Sequence, residues 1–133
     1  MRSDTQTITI DADPQRVFWF LADPANLPRW AIGFAKAIRC QEDGWVVETA
    51  QGSVGIRYVT EAETGVVDFY MSPSPEVESI AHSRVLSNGQ RCEYVFTQYQ
   101  GSDITDDLFE SQVRALAHEL VALKALLEVE CPL

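Results

Sequence analysis

The chain has 133 residues, with 10 Lys and Arg against 20 Asp and Glu, for a formal net charge of −10. That length predicts one domain spanning 1–133, and 46% hydrophobic with 23% charged residues is a globular rather than a disordered or fibrous composition. The acidic balance excludes a phosphate-backbone partner, so no nucleic acid is expected, and no apolar run approaches the ~20 residues of a membrane-spanning helix.

The first strand is expected over Thr5 to Ile10, where Ile8 and Ile10 alternate with Thr7 and Thr9. Asp13-Pro14 then reads as a helix start, with Asp at the cap and Pro at the first helical position, where its missing N–H costs nothing. Val17, Phe18, Phe20 and Leu21 give that helix an apolar face. Asp23-Pro24 repeats the signal ten residues on, and Pro28 limits this second helix to a turn or two before Arg29 and Trp30.

From Phe34 to Gln100 the signals are strand and turn. Punctuation falls at Glu42-Asp43-Gly44, Gln51-Gly52, Glu61 to Gly65, Ser72 to Pro75 and Asn88-Gly89. Six strands fit between these marks, which predicts an antiparallel meander. Asn88-Gly89 is the strongest hairpin signal among them, because a type I′ turn needs positive φ at both central residues.

A long helix is expected from Thr105 to about Val129. Thr105 caps it, and Asp106, Asp107 and Glu110 complement the positive end of its dipole. Phe109, Val113, Leu116, Leu120, Leu123 and Leu127 form one stripe at helical spacing. At 1.5 Å per residue the helix runs about 36 Å, enough to cross a curved sheet.

The turns also suggest strand registers. An Asn88-Gly89 tip pairs Arg84 with Glu93 and Ala81 with Phe96; a Gln51-Gly52 tip pairs Val47 with Ile56; a Glu61–Thr64 loop pairs Arg57 with Asp68. All three hairpins separate charges onto one face and apolar or aromatic groups onto the other. The second face carries Trp45, Ile56, Tyr58, Phe69, Tyr94, Phe96 and Gln98, and no Asp, Glu, Lys, Arg or His. Two tyrosines and a glutamine on such a face fit a ligand cavity with apolar walls and a few orienting groups. A one-residue slip would instead turn His82, Arg84 and Glu93 inward as an acid–base cluster, burying charge and exposing Tyr94 and Phe96.

A strand followed by DADPQRVFWFLADPANLPRW, a six-stranded meander and a final helix ending HELVALKALLEV resembles the START-like, Bet v 1-like (SRPBCC) superfamily, and within it the polyketide cyclase/dehydrase and lipid-transport group. The resemblance covers nearly the whole chain and carries no catalytic signature. It implies an α+β helix-grip fold: a bent antiparallel sheet of about seven strands wrapped around a long C-terminal helix, with two short helices after strand 1. It also implies an apolar cavity between sheet and helix.

The function expected on this basis is binding or carriage of a small hydrophobic ligand, cyclic or lipid-like. Trp30 falls in the family's cavity-mouth segment; Trp45, Ile56, Tyr58, Phe69, Tyr94 and Phe96 would supply walls, and Gln98 with the tyrosine hydroxyls would orient a polar substituent. Phe109, Val113 and Leu116 would line the helix side. The alternative is a cyclase, dehydratase or isomerase, for which Tyr58 and Tyr94 are the candidate proton donors.

Cys40, Cys92 and Cys131 are widely spaced and odd in number, and no Gly-rich phosphate loop or clustered metal ligands occur. No cofactor and no metal are therefore expected. MRSDTQTITI lacks the apolar core of a secretion signal, and reduced thiols fit a cytoplasmic location. His118 lies opposite the leucine stripe and should be exposed. Val46, Val95 and Tyr99 on the outer face offer contacts for a homodimer.

Overall fold

In a computed structural model covering residues 1–133, both Asp-Pro pairs start helical segments. After β1 (Ser3–Ile10), the Asp13 side chain accepts from Arg16 N–H to cap α1 (Pro14–Ala22). Asp23 then accepts from Ala25 N–H to cap a 3-10 turn, Pro24–Asn26. Pro28 opens the next segment rather than ending it. It occupies the first turn of the one-turn α2 (Leu27–Trp30), where its lack of an N–H is harmless.

Six strands follow: β2 (Ala37–Gln41), β3 (Gly44–Thr49), β4 (Gly52–Glu61), β5 (Val66–Ser74), β6 (Val77–Asn88) and β7 (Arg91–Tyr99). With β1 they make one antiparallel sheet in the order β1-β7-β6-β5-β4-β3-β2. The sequence ends in α3 (Asp106–Glu130), capped by Thr105, whose hydroxyl accepts from Leu108 N–H at 3.2 Å.

The faces of the strands are as expected, but each hairpin register differs by two residues. Ser83 pairs with Phe96, and Val85 with Tyr94, because the last tip is Gly89-Gln90 rather than Asn88-Gly89. Gly89 has φ +63° and no non-glycine residue has positive φ, which fits a type II′ turn rather than I′. Likewise Val47 faces Val54 and Trp45 faces Ile56, across an Ala50-Gln51 tip followed by Gly52 at φ +116°. Arg57 faces Tyr70, and Tyr58 faces Phe69, around an Ala62–Gly65 loop. Between Met71 and Ser74 the β5–β6 register shifts, accommodating Pro73 within a bulge.

Gly65 is needed for two reasons. Its φ is +76°, and a Cβ there would lie 2.1 Å from the carbonyl oxygen of Val85. That close approach lets the Val85 N–H donate to Gly65 O at 2.8 Å, tying the β4–β5 loop to β6.

The core is a single apolar cluster between the concave face of the sheet and the helices. Val47, Val67, Cys92 and Tyr94 of the sheet meet Val17 and Leu21 of α1 and Leu116, Leu120, Leu123 and Leu127 of α3. The C-terminus is pinned across this layer. Asp13 N–H donates to Cys131 O, Arg16 donates to Glu130 O, and Arg29 pairs with the Glu130 carboxylate.

Candidate functional site

Four of the expected wall residues and Trp30, expected at the cavity mouth, converge on one aromatic cluster. Trp30, at the end of α2, meets Tyr94 edge to face with ring centroids 6.3 Å apart, and Phe96 at 6.5 Å. Phe96 meets Phe69 at 5.8 Å and Tyr94 at 6.3 Å, and Phe69 meets Tyr58 at 4.9 Å. Three strands and α2 thus supply the rings. Strand alternation explains why positions 58, 69, 94 and 96 share a face despite the shifted registers. All of these pairs but Phe69–Phe96, which is tilted by 30°, are edge to face, a geometry favourable at these spacings beyond area burial alone.

Tyr94 is the anomaly of this cluster. Its side chain has no exposed surface, yet its hydroxyl has no hydrogen-bond partner. Ser83 lies close enough to hold the phenol pKa down somewhat, but the Ser83 hydroxyl is donated to the carbonyl of Val67. Burial dominates and pushes the Tyr94 phenol well above its ordinary value. Burial does the same to Tyr58, with Asp23 the one charged group acting on it. Both phenols therefore stay protonated throughout the neutral range.

The other expected residues are placed differently. Ile56 and Leu116 are buried in the core, and Trp45 packs against it half-exposed. Gln98 is not free to orient a ligand: its amide donates to Asp4 Oδ2 at 3.0 Å and to the carbonyl of Gln112. Phe109 is buried but lies outside the main core cluster, beneath the Arg2 guanidinium at 5.1 Å. Half-buried Val113 offers its carbonyl to the amide of Gln6.

The inward acid–base cluster does not form. His82 and Arg84 are exposed on the convex face. There His82 Nδ1 lies 3.3 Å from Asp68 Oδ1, directly across the strand pair, while Glu93 accepts from Thr9. This pair borders a shallow depression of about 260 Å³ that also includes Val66, Val95 and Thr97. His118 is exposed, as expected from the helix stripe.

One interior acid was not anticipated. Glu119 of α3 is only 7% exposed. Its Oε2 accepts from Gly33 N–H at 3.0 Å, with a further contribution from Phe34 N–H. No cation pairs with it, so burial raises its pKa to about 7 while the two amides partly offset the shift. It stands three residues after Leu116 and four before Leu123, on the flank of the leucine stripe. That spacing is the signal that could have found it. The acid fastens the segment joining α2 to β2 onto α3, and Trp30 leads directly into that segment.

No protein-family model matches the sequence, and no curated protein matches it. Solved structures do resemble it. A START superfamily protein from Mycobacterium smegmatis superposes with a TM-score of 0.66 at 12% identity, over 95% of this chain and 97% of that one. The chain has the START-like helix-grip fold. The Zhui aromatase/cyclase from Streptomyces sp. R1128 gives a TM-score of 0.72 at 19% identity, covering 96% of this chain and 93% of its own. The Aha1 dimer from Colwellia psychrerythraea gives 0.72 at 16%, covering 97% and 98%. Within this fold the chain places the Trp30–Tyr94–Phe96 cluster, a buried phenol and a buried acid on the last helix.

Proposed function

We propose that the protein binds a small hydrophobic ring compound between the concave face of its sheet and α3, against the Trp30, Tyr58, Phe69, Tyr94 and Phe96 rings. The observation that carries this reading is the Tyr94 hydroxyl, fully buried and without a hydrogen-bond partner, the nearby Ser83 hydroxyl being donated to Val67 O. Such a group costs about 1–3 kcal/mol to leave unsatisfied, and a ligand oxygen would repay it. Burying ~250 Å² of apolar ligand surface would add about 6 kcal/mol before entropic costs. The rings are in contact, so the ligand enters by displacing a wall. Trp30 is the wall on the shortest element, the one-turn α2.

The geometry favours binding over a cyclase or dehydratase role. Such chemistry needs a base as well as a proton donor; no basic side chain is paired with Tyr58 or Tyr94, and burial makes both phenols weak acids. We place this binding activity in the cytoplasm, in keeping with three unpaired thiols.

Native mass spectrometry of freshly purified protein, followed by denaturing extraction, tests the reading. A retained apolar molecule at near-stoichiometric amount supports it, and recovery of a chemically altered molecule after incubation would transfer the role to catalysis. An empty protein that gains no thermal stability from quinones, flavonoids or lipids would refute it, since a ligand that binds the folded state stabilises it by mass action.

A further inference from the structure

We propose that Glu119 is a proton-operated latch. With its carboxyl protonated it holds residues 31–36, the connection between α2 and β2, against α3; on ionisation it releases them while the sheet and α3 stay folded.

The geometry makes Glu119 the tie. Gly33 N–H donates to its Oε2 at 3.0 Å, and the Phe34 amide also acts on the carboxyl. No other hydrogen bond joins residues 31–36 to α3. Gly33 backs directly onto that helix, since a Cβ there would already touch Ala115 Cβ at 3.4 Å. The remaining backbone bonds hold the segment to itself or at its ends. Phe34 and Ala35 N–H both donate to Ala31 O, Ala31 N–H donates to Leu27 O, and Lys36 N–H donates to Glu48 O. Its buried apolar anchors, Ala31 and Ala35, are small, Phe34 is half-buried and Ile32 is exposed. Release therefore uncovers little apolar surface, which is the condition for local opening well below the free energy of global unfolding.

The surroundings offer an ionised Glu119 no counter-charge. The residues one turn before and after it on α3 are alanine or leucine, and Arg114 and His118 are exposed. Lys124 of the same helix is engaged by Thr9 O and Glu128. Arg29 of α2 is paired with Glu130, and Lys36 is exposed at the far end of the segment. On the concave face Tyr58, Tyr94 and Cys92 are all kept neutral by burial. Closed, the carboxyl is desolvated and its pKa rises to about 7; open, it regains water and its ordinary 4.5. The closed state thus binds the proton more tightly, and linkage favours the open state by roughly 70-fold more at pH 8 than at pH 5.

The test is amide hydrogen exchange of the full chain and of Glu119→Gln, followed by NMR from pH 5 to 8 and corrected for intrinsic rates. Gly33 should lose roughly 50–100-fold of its protection across this range in the parent and keep it in the variant. Slow exchange in β6 and β7 shows that both proteins are folded. Urea below the unfolding transition separates release from unfolding: in the parent at pH 8 it should leave Gly33 exchange nearly unchanged while accelerating exchange in β6 and β7. Gly33 protection that falls equally in both proteins, or in neither, would overturn the latch. So would Gly33 exchange that rises with urea as steeply as that of the strands, because the segment would then leave only when the whole fold does.

Discussion

Glu119 makes a stability prediction whose sign is opposite to that of most carboxylates. Its folded-state pKa is raised to about 7 from an ordinary 4.5, chiefly by burial. A raised acid favours the protonated folded form, so its contribution is fully present below pH 4.5 and is lost as pH rises through 7. Across that window the folded state holds a proton that the unfolded chain has released. Stability should fall by up to about 1.4 kcal/mol per pH unit, roughly 3 kcal/mol in all. Glu128 works the other way, its pKa lowered by the hydrogen bond from Lys124, but its effect falls at more acid pH. General repulsion in a chain of net charge −10 also grows with pH, so the variant is the control. Glu119→Gln keeps an oxygen for Gly33 N–H and cannot ionise. Urea unfolding of both proteins at pH 5, 6, 7 and 8 should show the parent losing about 2–3 kcal/mol relative to the variant between pH 5 and 8, with the variant the more stable at pH 8. Two curves that stay parallel across this range would refute the assignment of a buried, proton-binding Glu119.

Further outcomes follow from particular contacts. Without ligand, Tyr94→Phe should be neutral to stabilising by about 1 kcal/mol, because it removes a buried hydroxyl that has no partner; a loss above about 1 kcal/mol in urea unfolding would mean that the hydroxyl is satisfied in solution. Gly65→Ala should cost at least ~2 kcal/mol, given a positive φ and a Cβ driven into Val85 O; thermal unfolding within a degree of the parent would contradict the loop geometry. Trp30→Ala should cost about 3–5 kcal/mol by removing a buried ring packed on Tyr94 and Phe96, whereas Trp19→Ala, 64% exposed on α1, should cost little; equal losses by chemical denaturation would show that Trp30 does not pack as described.

The elements were legible because their signals are local. Asp-Pro pairs announce helix starts through backbone chemistry, and the leucine spacing of α3 follows from helix geometry. Strand faces were legible for a subtler reason. Moving a hairpin tip by one residue changes every pairing by two, and because side chains alternate with period two the inward set is unchanged. Thus Tyr58, Phe69, Tyr94 and Phe96 could be assigned to one face while their partners were misplaced. The tips were misjudged because Gly89 serves equally as the second residue of a type I′ turn and the first of a type II′ turn. Gln98 looked like an orienting group because its face was correct, but its engagement with Asp4 of β1 and with α3 depends on how β1 pairs with β7. Glu119 was hidden because a glutamate on a helix flank ordinarily reaches solvent. Its burial follows from the backbone amides of a distant segment.

The central claim is that a ligand sits inside the sheet against the aromatic cluster, and isotope-filtered NMR tests it most directly. Labelled protein with unlabelled 2-acetylnaphthalene should show intermolecular NOEs from the ligand to ring protons of Trp30, Tyr94 and Phe96. NOEs confined to Val66, Val95 and Thr97 would place the ligand in the convex-face depression and contradict the account.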